Sequence, residues 1–352
     1  MTEQLVTQPS ILPAGYTAAL EGAALYDEPA AGRIFMRGRD RTDLLHRLST
    51  ADLLRLRPGQ GARTVLTTPI GRIIDLLTVH ALEDALLLVG SPGQGPPVFA
   101  HLKKNIFFND QVTLEPAGRS YGQLALFGPR AGALLAQISG ASFDELPMHH
   151  TVPADLAGVS VLAARRAPLG GQGFTLYIPA EHVETVRAAL LAGGAASLGT
   201  EAFEVLRIER GYGVFGRELS QEYIPLETGL LDAISFTKGC YVGQEIIARM
   251  ESRGRMAKQL RGLKLRTKDE GRTMHDEEHS SFVLRLSSLI LPMKLEVDGK
   301  DAGDLTSVAV SPRLGPVALA YVRSAHIEPG SIVGVAGTNI TGEVVELPFA
   351  GI

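Results

Sequence analysis

The sequence is poor in cysteine and contains no tryptophan. Among its 352 residues the only cysteine is Cys240, and aromatic residues make up 6% of the chain. A single thiol excludes an intramolecular disulfide, and it excludes a multi-cysteine zinc or iron–sulfur site within one chain. If iron–sulfur clusters matter to this protein, they belong to its partners.

Long apolar runs are lacking too. A helix that crosses a bilayer needs about 20 apolar residues, whereas the run from Ala85 to Val89 is typical of this chain. We therefore expect no membrane span. The first residues, MTEQLVTQPSILPAG, contain the acidic Glu3 and no basic cluster before an apolar core. Because secretory and organellar leaders look different, the predicted location is the cytoplasm.

The chain also has no excess of positive charge. Its formal net charge is −4, which supplies no overall field for holding a polyanion, so we expect no direct DNA binding. With 45% hydrophobic residues the chain can bury a substantial core. Its length predicts two or three domains.

Strand and helix patterns alternate through the first 265 residues. Asp40 is the predicted N-cap of a helix over residues 41–48. Alternating apolar residues over 174–178 predict a strand, and a helix that ends near Gly193 follows it. Further strands, interleaved with helices, are predicted over 34–37, 73–80, 85–89, 123–127 and 159–163. The pattern indicates an α+β fold.

Composition divides the chain into three parts. We expect two interleaved α/β subdomains over residues 20–265 and an exposed polar connection over 266–281. The segment TKDEGRTMHDEEHSS in this connection has too little hydrophobicity to pack as a core element. Over residues 282–352, short apolar runs are separated by turn signals such as DGK. This last part is predicted to be a small C-terminal β-barrel.

Glu227 lies in the apolar segment IPLETGL. A lone glutamate is ordinarily a solvated loop carboxylate or a helix cap. A pterin would give it a second role. One edge of a pterin carries two adjacent N–H donors, and a carboxylate can accept both side by side, as it accepts an arginine fork. The residue by itself leaves both roles open.

The run KGCYVGQE places the only thiol between two glycines. Lys238 and the N-terminus of a helix predicted to begin at Gln244 would favour the nucleophilic thiolate of Cys240. In that helix Glu245 and Arg249 have i, i+4 spacing. The alternative is a buried cysteine that acts as a small apolar residue. The segment contains no histidine, so support for a Cys/His nucleophilic site is weak.

This run, followed by Ala248-Arg249 and Arg253-Gly254, resembles the signature of the YgfZ family, a branch of the glycine-cleavage T-protein superfamily. The similarity covers almost the whole chain. LRIERG with IPLE resembles the superfamily's folate-site block, and GDLTSVAVSPRLGPVALAYV resembles its C-terminal barrel. Other similar blocks, in the expected order, are GRDRTDLLHRLSTADL, TTPIGRIID and FGPRA.

The resemblance implies a T-protein-like ring of three lobes, with ferredoxin-like α/β subdomains, a C-terminal β-barrel and a central channel for tetrahydrofolate or a derivative. Glu227 would accept the pterin edge. In relatives the role is to support maturation or repair of iron–sulfur enzymes, including those that modify transfer RNA. The expected partners are thus folate and iron–sulfur proteins or their assembly factors. The residues expected to line or support the functional face are Lys238, Cys240, Tyr241, Gln244, Glu245 and Arg249.

The chain departs from the aminomethyltransferase branch at one position. Those enzymes carry a block similar to GGIIDDLIV where this chain reads GRIIDLLTV. Asp75 matches the first aspartate of that block, and Leu76 replaces the second, which is associated with catalysis. A carboxylate near folate N5 can stabilise developing positive charge, and leucine cannot. The glycine-cleavage reaction is therefore disfavoured. Asp75 itself either contacts ligand or has a structural role at the strand end.

Three functional hypotheses follow. The first is a folate-dependent accessory protein with little or no turnover. The second is a folate-dependent one-carbon (aminomethyl) transferase with an unidentified donor. The third is a docking module in which Cys240 contacts a partner's cluster or disulfide, since a lone thiol can react intermolecularly.

Overall fold

A computed structural model describes residues 12–254, 256–267, 286 and 289–351. In this part of the chain the backbone forms three lobes. One lobe is built on a five-stranded sheet, one on a six-stranded sheet, and one is a closed six-stranded barrel. The α+β class and the C-terminal β-barrel expected from the sequence are confirmed.

The described residues begin in the second lobe with helix α1 (Tyr16–Glu21) and strand β1 (Ala24–Asp27), and the first lobe follows. The first lobe is an antiparallel sheet in the order β3-β4-β5-β2-β6. Its elements are β2 (Ala31–Arg37), α2 (Arg41–Leu48), β3 (Gly61–Thr67), β4 (Ile73–Ala81), β5 (Ala85–Pro92), α3 (Gly95–Lys104) and β6 (Thr113–Pro116). The helix predicted over 41–48 and the strands predicted in this region are confirmed.

Asp40, which we predict as the N-cap of α2, makes different contacts from those of a capping residue. Asp40 occupies the N-cap position, but its side chain makes no capping hydrogen bond to α2. Its Oδ2 instead accepts a hydrogen bond from the backbone N–H of Gln111 at 2.9 Å. The carboxylate thus ties the helix to the segment that leads into β6.

The second lobe contains a six-stranded sheet in the order β11-β1-β7-β10-β9-β8. Only β1 and β11 pair in parallel. The remaining elements are β7 (Tyr121–Gly128), α4 (Ala131–Ser139), β8 (Thr151–Leu156), β9 (Val159–Arg165), β10 (Gln172–Pro179), a 3₁₀ turn (Ala180–His182), α5 (Val183–Ala192), β11 (Ala196–Ser197) and α6 (Thr200–Glu209). The strand and helix predicted around residues 174–193 are β10 and α5. Apolar side chains of both helix and sheet faces form the core of this lobe.

A short 3₁₀ turn (Leu231–Ala233) and helix α7 (Gln244–Arg253) connect the second lobe to the barrel. The barrel order is β12-β15-β14-β13-β16-β17. Its strands are β12 (Lys258–Thr267), β13 (Met293–Val297), β14 (Lys300–Ser311), β15 (Gly315–Arg323), β16 (Ile332–Val335) and β17 (Ile340–Val345), with a 3₁₀ turn at Ser324–His326.

The first barrel strand, β12, crosses the domain boundary that we predict at residue 265. Strand β12 pairs with β15 and β17, and its Leu263 and Leu265 lie in the barrel core. Its placement depends on partners more than 50 residues further along the chain. Beyond Thr267, the polar connection predicted over 266–281 lies outside the described residues.

Buried polar clusters join α6 to the barrel. The Arg207 guanidinium, 1% exposed, donates to Glu218 Oε2 at 3.2 Å and to Ser307 Oγ of β14 at 2.8 Å. Two residues further along α6, the fully buried Glu209 carboxylate accepts hydrogen bonds from Tyr16, Ser311 and Arg313. Satisfied networks of this kind fix the lobes relative to one another. In the described residues, the structure has no helix of the length and apolarity required to span a membrane.

Candidate functional site

A cavity of about 820 Å³ lies where the three lobes meet. Thr78 and Tyr177 line it from the two sheets, Tyr212 from the loop after α6, and Leu260 from the barrel. Its volume falls in the range of about 300–1,000 Å³ that is usual for small-molecule sites. The geometry therefore offers one central binding site to which every lobe contributes.

Aromatic rings and paired charges make up much of the cavity wall. Tyr26 and Phe203 both line it and stack with their ring centroids 4.2 Å apart. Arg166 Nη1 lies 2.8 Å from Glu28 Oε2, and Arg63 lies 3.1 Å from Asp232 across the cavity edge. Aromatic faces combined with a few oriented polar groups suit a planar, polar ligand.

Strand β4 presents one of its two faces to the cavity. Leu76, Thr78 and His80 line the cavity, as the two-residue period of a strand requires. Asp75 points the other way and is fully buried. Its Oδ1 accepts from the backbone N–H of Leu76 at 2.9 Å, and its Oδ2 accepts from that of Ser91 at 3.1 Å. Burial raises the pKa of Asp75.

Glu227 lies in a turn and does not itself line the cavity. The three residues that follow it, Thr228 to Leu230, line the cavity wall. Its backbone carbonyl accepts from the N–H of Leu260 at 2.8 Å, and its Oε2 accepts from the N–H of Ile224 at 3.1 Å. Among the described residues no donor reaches Oε1. The side chain is thus held in place with one acceptor atom free.

The electrostatic setting of Glu227 combines burial with distant positive charge. The residue is 6% exposed, and this burial raises the pKa of its carboxyl. The N–H of Ile224 and the charges of Lys258 and Arg72 act in the opposite direction. A carboxylate that is poorly solvated gains more than an exposed one from a ligand that supplies N–H donors.

Lys238 is buried against the end of helix α2. Its Nζ donates to three backbone carbonyls, those of His46 at 2.6 Å, Ser49 at 2.7 Å and Ala51 at 2.8 Å. It also lies 4.9 Å from the centre of the Tyr241 ring. Burial lowers the pKa of Lys238 to about 8. All three ammonium donors are therefore used within the fold, at carbonyls that the helix leaves unpaired.

The other residues of the run KGCYVGQE, and Arg249 after it, lie outside the cavity. Cys240 is exposed, so it does not act as a buried apolar residue. Tyr241 is buried and packs with Ile224 and Leu226, which places the segment beside the Glu227 turn. Helix α7 begins at Gln244 as predicted, and Gln244 is half-buried. Neither these residues nor Glu245 and Arg249, both exposed, line the cavity.

Two cavity residues that the sequence alone does not reveal are His80 and Tyr177. His80 Nε2 lies 2.9 Å from the hydroxyl of Tyr177, although the two are 97 positions apart. Burial lowers the pKa of His80 to about 4. The alternation along β4 places His80 on the same face as Leu76, and this is the one sequence signal that points to it.

Two α/β lobes and a barrel enclose an aromatic and polar cavity whose size and lining suit a small molecule. Residues 10–238 match the family model of the GCVT N-terminal domain. Residues 258–350 match the glycine cleavage T-protein C-terminal barrel domain. The chain belongs to the glycine cleavage T-protein family.

Individual relatives agree with this assignment. A chloroplastic protein of Arabidopsis thaliana, named as a transferase, is 32% identical over 330 residues, which are 93% of this chain and 71% of that protein. An aminomethyltransferase of Halothermothrix orenii is 29% identical over 353 residues, covering 96% and 93%. The crystal structure of the glycine cleavage system aminomethyltransferase T from Bartonella henselae matches with a TM-score of 0.79 at 23% identity, covering 95% of this chain and 88% of that one. The T-protein-like fold is confirmed.

Proposed function

We propose that this protein binds tetrahydrofolate or a derivative in its central cavity and serves as an accessory protein of the YgfZ type. In this role it supports maturation or repair of iron–sulfur proteins, including enzymes that modify transfer RNA, in the cytoplasm. The observation that carries the folate proposal is the central cavity, whose wall includes Thr228 to Leu230 directly after Glu227; no donor among the described residues reaches Oε1 of Glu227.

The donor and acceptor groups of the cavity fit a reduced pterin. The Glu227 carboxylate would accept the two N–H donors of the pterin edge, with Thr228 and Leu230 beside it. The stacked pair of Tyr26 and Phe203 supplies aromatic surface elsewhere in the cavity. Bound tetrahydrofolate would supply one-carbon chemistry at its N5 and N10 atoms; the residues of the chain bind and orient it.

The cavity face of β4 argues against glycine cleavage. Leu76 lines the cavity. The carboxylate of Asp75 accepts hydrogen bonds from the backbone N–H groups of Leu76 and Ser91. An apolar side chain cannot stabilise positive charge that develops on a folate nitrogen. This observation favours a role in which folate binding matters more than aminomethyl transfer.

The exposed thiol supports a partner outside the cavity. Cys240 lies on the surface, and Tyr241 packs against the residues next to Glu227. A macromolecular partner at the thiol would therefore contact the same segment that borders the folate turn. We propose that this partner is an iron–sulfur protein or its assembly factor.

Calorimetry with tetrahydrofolate tests the role of Glu227. We expect Glu227→Gln to weaken binding by about 1–3 kcal/mol, because the amide can accept only one N–H and turns its own donor towards the pterin. Glu222→Gln is the matched control, since Glu222 is exposed five residues earlier. Equal affinity of the wild type and the Glu227 variant would exclude this role.

A deletion strain tests the accessory function. Activities of cluster-dependent enzymes should fall in the strain, and the wild-type gene should restore them. Failure of these activities to change would exclude support of iron–sulfur proteins. The same strain can then be complemented with the Glu227 and Cys240 variants.

The names of the relatives favour a second candidate function. The Halothermothrix orenii relative is named an aminomethyltransferase and aligns with nearly the whole chain. A folate-dependent one-carbon transferase would form methylene-tetrahydrofolate from an aminomethyl donor. Purified protein that forms none with the plausible donors, while it still binds tetrahydrofolate, would favour the accessory role.

A further inference from the structure

His80 and Tyr177 form a hydrogen-bonded pair in the cavity wall. His80 is 1% exposed and Tyr177 is 3% exposed, and both line the cavity. His80 Nδ1 lies 2.9 Å from the backbone carbonyl oxygen of His149, and its Nε2 lies 2.9 Å from the hydroxyl of Tyr177. Each ring nitrogen of His80 thus has one defined partner.

These two contacts determine where the protons are. A carbonyl oxygen only accepts, so Nδ1 of His80 must carry a hydrogen and donate it to His149. In a neutral imidazole the other nitrogen is then bare and accepts. The hydroxyl of Tyr177 must therefore donate its proton to Nε2 of His80.

The imidazole is neutral for a structural reason. Burial lowers the pKa of His80, and the nearby side chains of His149 and His150 act in the same direction, while the hydrogen bond to the His149 carbonyl acts in the opposite one. Burial disfavours the charged form of a histidine in the same way. The hydrogen-bonding directions follow from a neutral ring and a backbone carbonyl.

The pair is also held rigidly by its surroundings. A Cβ atom at Gly61 would lie 2.2 Å from the carbonyl oxygen of His149 and 2.9 Å from His80 Nδ1, so only glycine leaves room for this contact. The rings of His80 and Tyr177 meet at an angle of 62° with centroids 5.4 Å apart. The hydroxyl cannot easily turn its proton elsewhere.

We infer that Tyr177 is a binding residue whose oxygen only accepts, and that it selects a ligand with an N–H donor at this point of the cavity. His80 is its positioning residue. The hydroxyl proton is committed to His80, so the oxygen of Tyr177 has only lone pairs to present to a ligand. A ring nitrogen or carbonyl of a ligand would be repelled there, and an N–H group would be accepted.

The inference deepens the proposed function and rests on it. If the Glu227 carboxylate accepts the edge N–H groups of a pterin, the pteridine-ring N–H groups left for Tyr177 are those of the reduced ring. Tetrahydrofolate carries N5–H and N8–H, where folic acid has bare ring nitrogens with lone pairs. We therefore expect Tyr177 to favour tetrahydrofolate over folic acid.

The proton positions can be measured without any ligand. In a ¹⁵N NMR spectrum of the wild-type protein at neutral pH, His80 should show a protonated Nδ1 and a bare Nε2. A protonated Nε2 would overturn the inference, because the hydroxyl of Tyr177 would then be free to donate. This measurement needs no variant and does not depend on how well a variant folds.

Binding assays test the selection. The wild type should prefer tetrahydrofolate to folic acid by about 10-fold or more, the effect of one unmatched buried hydrogen-bonding group. Tyr177→Phe should lose most of this preference. Tyr121→Phe is the control, since Tyr121 does not line the cavity and should keep the wild-type ratio. An unchanged ratio in the Tyr177 variant would overturn the inference.

A double-mutant cycle tests the positioning role of His80. His80→Phe should reduce the preference, and adding Tyr177→Phe should reduce it little further, because the two residues act as a unit. Additive losses would overturn the positioning role. If wild-type protein binds tetrahydrofolate and Glu227→Gln weakens it while the Tyr177 variant is unaffected, the inference fails and the proposed function stands. No binding by the wild type would reject both.

Discussion

Leu76 and Asp75 are neighbours on strand β4 and face opposite sides of it. Leu76 lines the central cavity, while Asp75 is fully buried and accepts hydrogen bonds from two backbone N–H groups. A shift of one residue in register would reverse their places. This relationship decides which side chain a bound ligand meets, and it supports an accessory role over aminomethyl transfer.

We predict that Asp75→Asn lowers the free energy of unfolding by about 1–3 kcal/mol, because the amide cannot accept both backbone N–H groups and turns a donor towards one of them. Folate affinity should not change, since the side chain does not line the cavity. Urea unfolding and calorimetry measure the two quantities. Weakened folate binding at unchanged stability would instead assign Asp75 to the ligand.

We predict a pH-dependent gain in stability for Glu227→Gln. Burial raises the pKa of Glu227 in the folded state above its usual 4.5, so the protonated form favours folding. That contribution is complete below pH 4.5 and is lost as the pH rises through the folded-state pKa. At neutral pH the variant should therefore be more stable than the wild type, although it binds folate less tightly. Unfolding measured across this pH range should show the advantage vanish in acid; a constant advantage would contradict the prediction.

We predict that Lys238→Met destabilises the protein by about 3 kcal/mol or more. The substitution removes the ammonium that donates to the carbonyls of His46, Ser49 and Ala51 and leaves these buried acceptors without that donor. Lys103→Met, on the exposed side of α3, is the control and should unfold like the wild type. Equal midpoints in urea for both variants would show that the three contacts contribute nothing.

We predict that Cys240→Ser changes neither stability nor folate affinity and yet fails to complement a deletion strain. The thiol is exposed and lies away from the cavity, so its loss should affect only contacts with a partner. The measurements are thermal unfolding, calorimetry with tetrahydrofolate, and activities of cluster-dependent enzymes. Full complementation by the serine variant would remove the thiol from the proposed function.

Local patterns predict most of the elements. Helix α2 and the strand over residues 172–179 follow directly from apolar periodicity, and so do most of the barrel strands. The sequence does not assign strand β12 to the barrel, because its alternating pattern continues from the preceding region. Only the pairing of β12 with β15 and β17 places it there. The contacts of Asp40 depend in the same way on the distant Gln111.

The roles of site residues divide along the same line. The sequence predicts Glu227 as an acceptor; in the structure no donor among the described residues reaches its Oε1, and the cavity wall begins at the next residue, Thr228. Lys238 precedes Cys240 by two positions in the sequence, but its ammonium donates to carbonyls 187 to 192 positions away. The residues of the run KGCYVGQE therefore have different structural roles. Burial and long-range contacts show what each role is.

The sequence by itself determined the α+β class and the absence of any disulfide within the chain, because composition and local periodicity carry this information. Only the tertiary structure decided that Leu76 faces the cavity, that Lys238 bonds carbonyls at the end of α2, and that His80 lies within hydrogen-bonding distance of Tyr177. These outcomes depend on which distant backbone groups meet, and no local pattern encodes that.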